Sequence, residues 1–189
     1  MKGRKKGEQG FGKDAKEMYK VLTDPNICAI RPENVRLLTD GKGTSENIKK
    51  AVVELGYEMK KADEPEVEQS DDDGEDDANN TEKGSEMEEF LQSCVPRDSL
   101  LWASSRSYEP SRVEASAEDR VSVFTKYVLT GLRGGDTLLK QRAQAVGGIP
   151  LNFLQDYVYT KVTEELAGQT PSICGQAEKT YWMAYPPED

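Results

Sequence analysis

Apolar side chains recur at helical spacing in four stretches of this 189-residue chain, and short apolar runs separate them. In the first stretch Ala15, Met18, Tyr19 and Leu22 stand at i, i+3, i+4 and i+7, which predicts a helix over 14–23. Asp14 and Glu17 are spaced as a capping-box-like start. Thr23-Asp24-Pro25-Asn26 breaks that helix, and a loop runs to Pro32. The run Asn34 to Thr39 (NVRLLT) is rich enough in Val and Leu to predict a strand, closed by the turn Asp40-Gly41-Lys42-Gly43. Thr44 or Ser45 then caps a second helix, with Ile48, Ala51, Val52 and Leu55 on one face.

The later part of the chain repeats the alternation. Ser99 to Ser105 (SLLWASS) predicts a buried strand, followed by a polar loop over 106–119. Val121 to Arg133 predicts a helix with Val121, Phe124, Val128 and Leu132 inward, and Gly134-Gly135 stops it. Pro150 stands at the first position of another helix, with Leu151, Leu154, Val158, Val162 and Leu166 on its apolar face. Thr180 to Tyr185 (TYWMAY) predicts a last strand. Alternating strands and amphipathic helices define an α/β chain in which helices cover a mostly parallel sheet.

Charge divides the chain further. From Asp63 to Glu89 fourteen Asp and Glu stand against one Lys, a net of −13; the whole chain's −10 therefore leaves +3 for everything else. The acidity describes a segment and not a surface. Such a self-repelling, nearly apolar-free stretch, 62–89, predicts a disordered linker. A calcium loop over Asp71 to Asp77 fails on spacing, because Gln69 and Asn80 occupy the ends of the frame that Gly74 would set. Residues 1–13 (MKGRKKGEQGFGK) are basic and Gly-rich and predict a flexible arm. The expected organisation is that arm, a folded part over 14–61, the acidic linker over 62–89 and a second folded part over 90–189. No apolar run follows the basic start, so the expectation is an intracellular, cytoplasmic protein with no membrane span and no nucleic-acid partner.

The chain contains no histidine. That removes His-paired Ser or Cys nucleophiles and every His-containing metal site, and neither a metal nor a cofactor is expected. Cys28, Cys94 and Cys174 are too widely and irregularly spaced for a CxxC pair or a disulfide framework, and they predict free thiols. The glycines of 3–12 have no preceding strand and no following Lys-Ser or Lys-Thr, so they do not make a phosphate loop. The carboxylates cluster where nothing fixes their separation, so paired-carboxylate hydrolysis is not indicated.

Two groups of motifs carry a family resemblance. The first is Asp14-Ala15-Lys16-Glu17-Met18-Tyr19-Lys20-Val21-Leu22-Thr23-Asp24, then Pro32-Glu33-Asn34-Val35-Arg36-Leu37-Leu38-Thr39-Asp40, then Thr44-Ser45-Glu46-Asn47-Ile48. It resembles the early part of bacterial and metacaspase-type caspase domains. The second is Leu101-Trp102-Ala103-Ser104-Ser105-Arg106 with Glu109-Pro110-Ser111, then Val123-Phe124-Thr125-Lys126-Tyr127-Val128-Leu129 and Gly131-Leu132-Arg133-Gly134. It is similar to the family's late strand, substrate-side loop and following helix. Gly148 to Val158, Gln169-Thr170-Pro171 and the last strand continue in the family's order.

The resemblance implies a caspase-like three-layer sandwich with a mostly parallel sheet, incomplete because the equivalents of the first, third and fourth strands are missing. In the family the first is an apolar opening strand, and the other two end in Ser-Gly-His-Gly and Asp-x-Cys and carry the catalytic pair. No catalytic residue is assigned, since Cys94 (in LQSCV) lacks both the motif and a base. By family match Ser104, Arg106, Glu109 and Ser111 fall in the loop that contributes to the substrate pocket. The expected function is a catalytically inactive pseudoprotease, or an incomplete gene product, whose partner is an active caspase-like paralogue or a peptide-like ligand. Two alternatives stand beside it: residual cysteine endopeptidase activity after basic residues, and an electrostatic interaction module using the arm or the linker.

Overall fold

The helix that follows Pro150 shows how the pattern becomes packing. In the computed structural model, which describes residues 11–63, 100–106, 121–175 and 179–185, this helix spans Leu151–Glu165. Leu154, Val158 and Val162 are fully buried, as their spacing predicts, while Leu151 and Leu166 are half-buried at its ends. Each fully buried Leu or Val of this kind contributes about 1.5–3 kcal/mol relative to exposure. Pro150 is the N-cap and not the first helical residue, and with Ile149 it forms a two-residue strand.

Numbered in chain order, the described elements are α1 (Phe11–Thr23), α2 (Ser45–Asp63), β1 (Leu100–Ala103), α3 (Val123–Leu132), α4 (Thr137–Val146), β2 (Ile149–Pro150), α5 (Leu151–Glu165), β3 (Ser172–Gly175) and β4 (Trp182–Ala184). Helix α3 lies against α5 and buries Val123, Val128, Leu129 and Leu132. Of its four predicted inward residues Val128 and Leu132 are buried, and Val121 and Phe124 are half-buried. Ser122 caps it, its hydroxyl accepting the Thr125 N–H at 3.3 Å. Gly131 permits the close approach: a Cβ there would press on Leu154 Cδ1 and come within 3.2 Å of Leu139 Cδ2 and Tyr157 Cδ1.

Helix α4 has no counterpart in the sequence expectations. Its signals are local ones: Asp136 caps it by accepting the Leu139 N–H at 2.9 Å, and Gly147, at φ 84°, ends it in the left-handed conformation. Only Leu139 and Ala143 of α4 are buried. So sparse an apolar stripe does not stand out against loop sequence.

Helix α1 starts three residues earlier than the sequence predicts, inside the stretch read as a flexible arm. Asp14 is thus not its cap. The Asp14 side chain is buried and accepts the backbone N–H of Ser122 at 2.9 Å, so it joins α1 to the start of α3, 108 residues away. Val21 is the buried apolar residue of α1, whereas Ala15, Met18, Tyr19 and Leu22 are half-buried.

The predicted strand over 34–39 does not form. Pro32–Asn34 and Asp40–Lys42 are 3₁₀ turns, and residues 35–39 between them pair with no strand. Arg36 instead donates to both carboxylate oxygens of Glu58 on α2, at 2.6 and 2.8 Å. An apolar run becomes a strand only where another strand supplies its ladder. Helix α2 begins as predicted, with the Thr44 hydroxyl accepting the Asn47 N–H at 3.2 Å. Its apolar positions are not buried, however: Ala51, Val52 and Leu55 are half-covered, and Ile48, Val53 and Tyr57 are exposed.

Both ladders among the described residues are antiparallel, where a mostly parallel sheet was expected. β1 pairs with β3 in the register Leu100↔Gly175, Leu101↔Cys174, Trp102↔Ile173 and Ala103↔Ser172, and β2 pairs with β4. The chain is mixed α/β, with its helices and two small antiparallel sheets. β1 is half-buried along its whole length and not fully buried, and β3 is its one ladder partner among the described residues. No described helix is long and apolar enough to cross a membrane. The stretch 62–89, beyond the last residues of α2, and Cys94 lie outside the described residues.

Candidate functional site

The segment that leaves β1, Ser104-Ser105-Arg106, carries two of the four residues matched to a substrate-side loop. Beneath it, β1 is fixed twice. Trp102 packs edge-on against Phe124 of α3 at 5.4 Å between ring centroids, and the four-residue ladder to β3 holds the backbone. The Ser104 carbonyl is fixed a third time, since it accepts the Gln169 side-chain amide at 3.0 Å.

Gln169 is only 1% exposed. It stands in the turn between α5 and β3, where Gly168 takes φ 89°, its own N–H reaches the Leu166 carbonyl at 3.2 Å, and Pro171 is buried. The turn therefore places a neutral amide donor under the exit of β1. Ser104 is half-buried and Arg106 is exposed. Glu109 and Ser111 lie outside the described residues, so the structure brings together two members of the predicted set and adds Gln169, to which the sequence assigned no role.

At the other end of β1 an open groove of 420 Å³ runs between Leu100 and Ile173 of the β1–β3 ribbon and the first turns of α5. Leu151, Asn152, Gln155, Lys179, Thr180 and Tyr181 complete its walls. Its volume falls in the range of ligand-binding clefts. This mixed lining of apolar side chains, two amides, a hydroxyl and an ammonium offers an extended peptide apolar contact together with hydrogen-bond donors and acceptors. No sequence signal marked Asn152 or Gln155, which read as the polar side of an amphipathic helix.

Nucleophilic chemistry finds no support at the described thiols. Burial, with the Asp24 carboxylate adding to it, pushes the Cys28 thiol up to about 11, so it is protonated at neutral pH. Cys174 sits on β3 opposite Leu101 and is half-buried. A second, smaller cleft of 230 Å³ between α4 and α5 is lined by Asp136, Asp156, Arg142 and Lys161 together with Tyr157. Burial pushes the Tyr157 phenol up to about 12, with the Asp136 charge adding to the effect, which leaves it neutral. Arg142 lies over the Phe153 ring at 4.1 Å. No group of three His, Cys, Asp or Glu side chains that could hold a metal ion occurs among the described residues. No family model, no curated protein and no solved structure matches the chain.

Proposed function

We propose that this chain is a caspase-like protein without peptidase activity that recognises an extended peptide segment, supplied by an active caspase-like paralogue or by one of its ligands. The reading takes its family from the motif order around Asp14, Pro32, Leu101 and Val123, and its three-layer, incomplete sandwich from the same source. The observation that carries the function is the anchored β1 exit: a half-exposed strand with a fixed carbonyl one residue past its end and an open groove of mixed apolar and polar lining at its start. The absence of histidine from the sequence carries the other half, since a cysteine peptidase needs an imidazole to activate its thiol and protonate the leaving amine.

The reading has a direct test. The purified chain is incubated with a fluorogenic peptide ending in arginine, with and without calcium, and in parallel titrated into a fluorescein-labelled, non-cleavable peptide of the pattern Leu-Gly-Leu-Gly-Arg. Binding without turnover is the expected result. Turnover that disappears in Cys94→Ala would overturn the non-catalytic half, and absence of any binding would overturn the recognition half.

A further inference from the structure

We infer that Gln169 is the positioning residue of the recognition segment, acting on a bound peptide through the Ser104 carbonyl and the direction in which Arg106 leaves the strand. The inference rests on the peptide-recognition reading and adds to it the residue that tunes the site. Three observations converge. The Gln169 side chain is almost wholly inaccessible, so it does not itself touch a ligand. Its Nε2 donates to the Ser104 carbonyl, one residue past the end of β1 and two before the exposed Arg106, across 65 residues of sequence. The turn that presents it is built around a positive-φ glycine and a buried proline, so the amide is held from the α5 side independently of β1.

The chemistry of an amide at this place is specific. A carbonyl oxygen accepts only from a donor, and Gln supplies one at every pH. Glutamate has the same shape but supplies a donor only while protonated. Once ionised it sets negative charge against the negative end of the Ser104 carbonyl, and a buried carboxyl holds its proton to higher pH than an exposed one. The chain has no histidine, so no native side chain has its ordinary midpoint between about pH 5 and 7.5. A pH profile that appears in Gln169→Glu belongs to the introduced carboxyl.

The experiment is fluorescence anisotropy of the labelled Leu-Gly-Leu-Gly-Arg peptide with the full chain, its Gln169→Glu variant and its Gln169→Leu variant. Each is measured from about pH 5 to 7.5, with far-UV circular dichroism at 25 °C on the same samples. The wild-type Kd is expected to stay flat. Gln169→Glu is expected to bind within about threefold of wild type at the acid end and to weaken by about tenfold or more at the other, while Gln169→Leu is weakened by about tenfold throughout, the scale of one lost buried hydrogen bond. Wild-type binding that both variants retain at all pH values overturns the inference and leaves the proposed function standing. Loss of binding that coincides with loss of the native circular dichroism also overturns it, since the residue is then structural. A wild-type chain that binds no peptide overturns the proposed function itself.

Discussion

Residues 29–63 and the pair α3–α5 are written in the same sequence language and meet different fates. Both show apolar residues at helical spacing, and α2 and α3 each begin with a side-chain N-cap, at Thr44 and Ser122. Yet α3 and α5 supply seven of the twelve apolar core residues among the described residues, while no described hydrophobic residue between 29 and 63 is in that core or packs against it. An amphipathic stripe states that a helix needs a covering surface; it does not provide one. The exposed Leu37, Ile48, Val53 and Tyr57 show that need unmet.

The largest test of this contrast lies in α5. Leu154→Ala is expected to lower stability by about 2–5 kcal/mol, whereas Val53→Ala, at an exposed site of α2, changes it by no more than about 0.5 kcal/mol. Urea unfolding of both variants checks this, and equal losses would erase the contrast. Next comes the joint between α1 and α3. Asp14→Ala strands the buried Ser122 N–H and is expected to cost about 1–3 kcal/mol, and Asp14→Asn, which keeps an acceptor oxygen, to cost less.

A smaller effect belongs to the surface of the packed body. Glu165 accepts from Lys126 at 2.7 Å and from the Tyr127 hydroxyl, and these two bonds hold its carboxyl below the usual value. Because the folded-state pKa is the depressed one, the contribution is complete above the unfolded value of about 4.3 and is lost as pH falls through the folded value. With Lys126 about half exposed, its size is below about 1 kcal/mol. Thermal midpoints of wild type and Glu165→Gln should therefore differ at pH 7 and converge in acid. The smallest effect is Arg36→Ala. It removes the link between 35–39 and α2 and is expected to change global stability by about 0–1 kcal/mol, with faster amide exchange confined to residues 32–58.

What the sequence made legible follows the same physics. Helix α5 was readable residue by residue because Leu154, Val158 and Val162 decide its orientation by themselves. Helix α4 was not, because its signals are a single cap and a single glycine. The run at 35–39 has strand composition, but whether it pairs depends on a neighbour that its own residues do not specify. Asp14 was misplaced for a related reason: an acid immediately before a helical stripe looks like a local cap, and only the tertiary structure reveals a partner 108 residues away. At the candidate site Ser104 and Arg106 rest on motif order alone. Gln169 was read only as part of that order and given no role, although an amide between Gly168 and Pro171, after an apolar helix, is the kind of signal that marks a buried turn.

The two tryptophans give the molecule an optical asymmetry. Trp182 is about half exposed, whereas the Trp102 indole lies against Phe124 with its Nε1 buried and no acceptor among the described residues. The steady-state emission is therefore a sum of a red, quencher-accessible component and a blue, shielded one. Only the second reports from β1, two residues before the carbonyl that Gln169 holds.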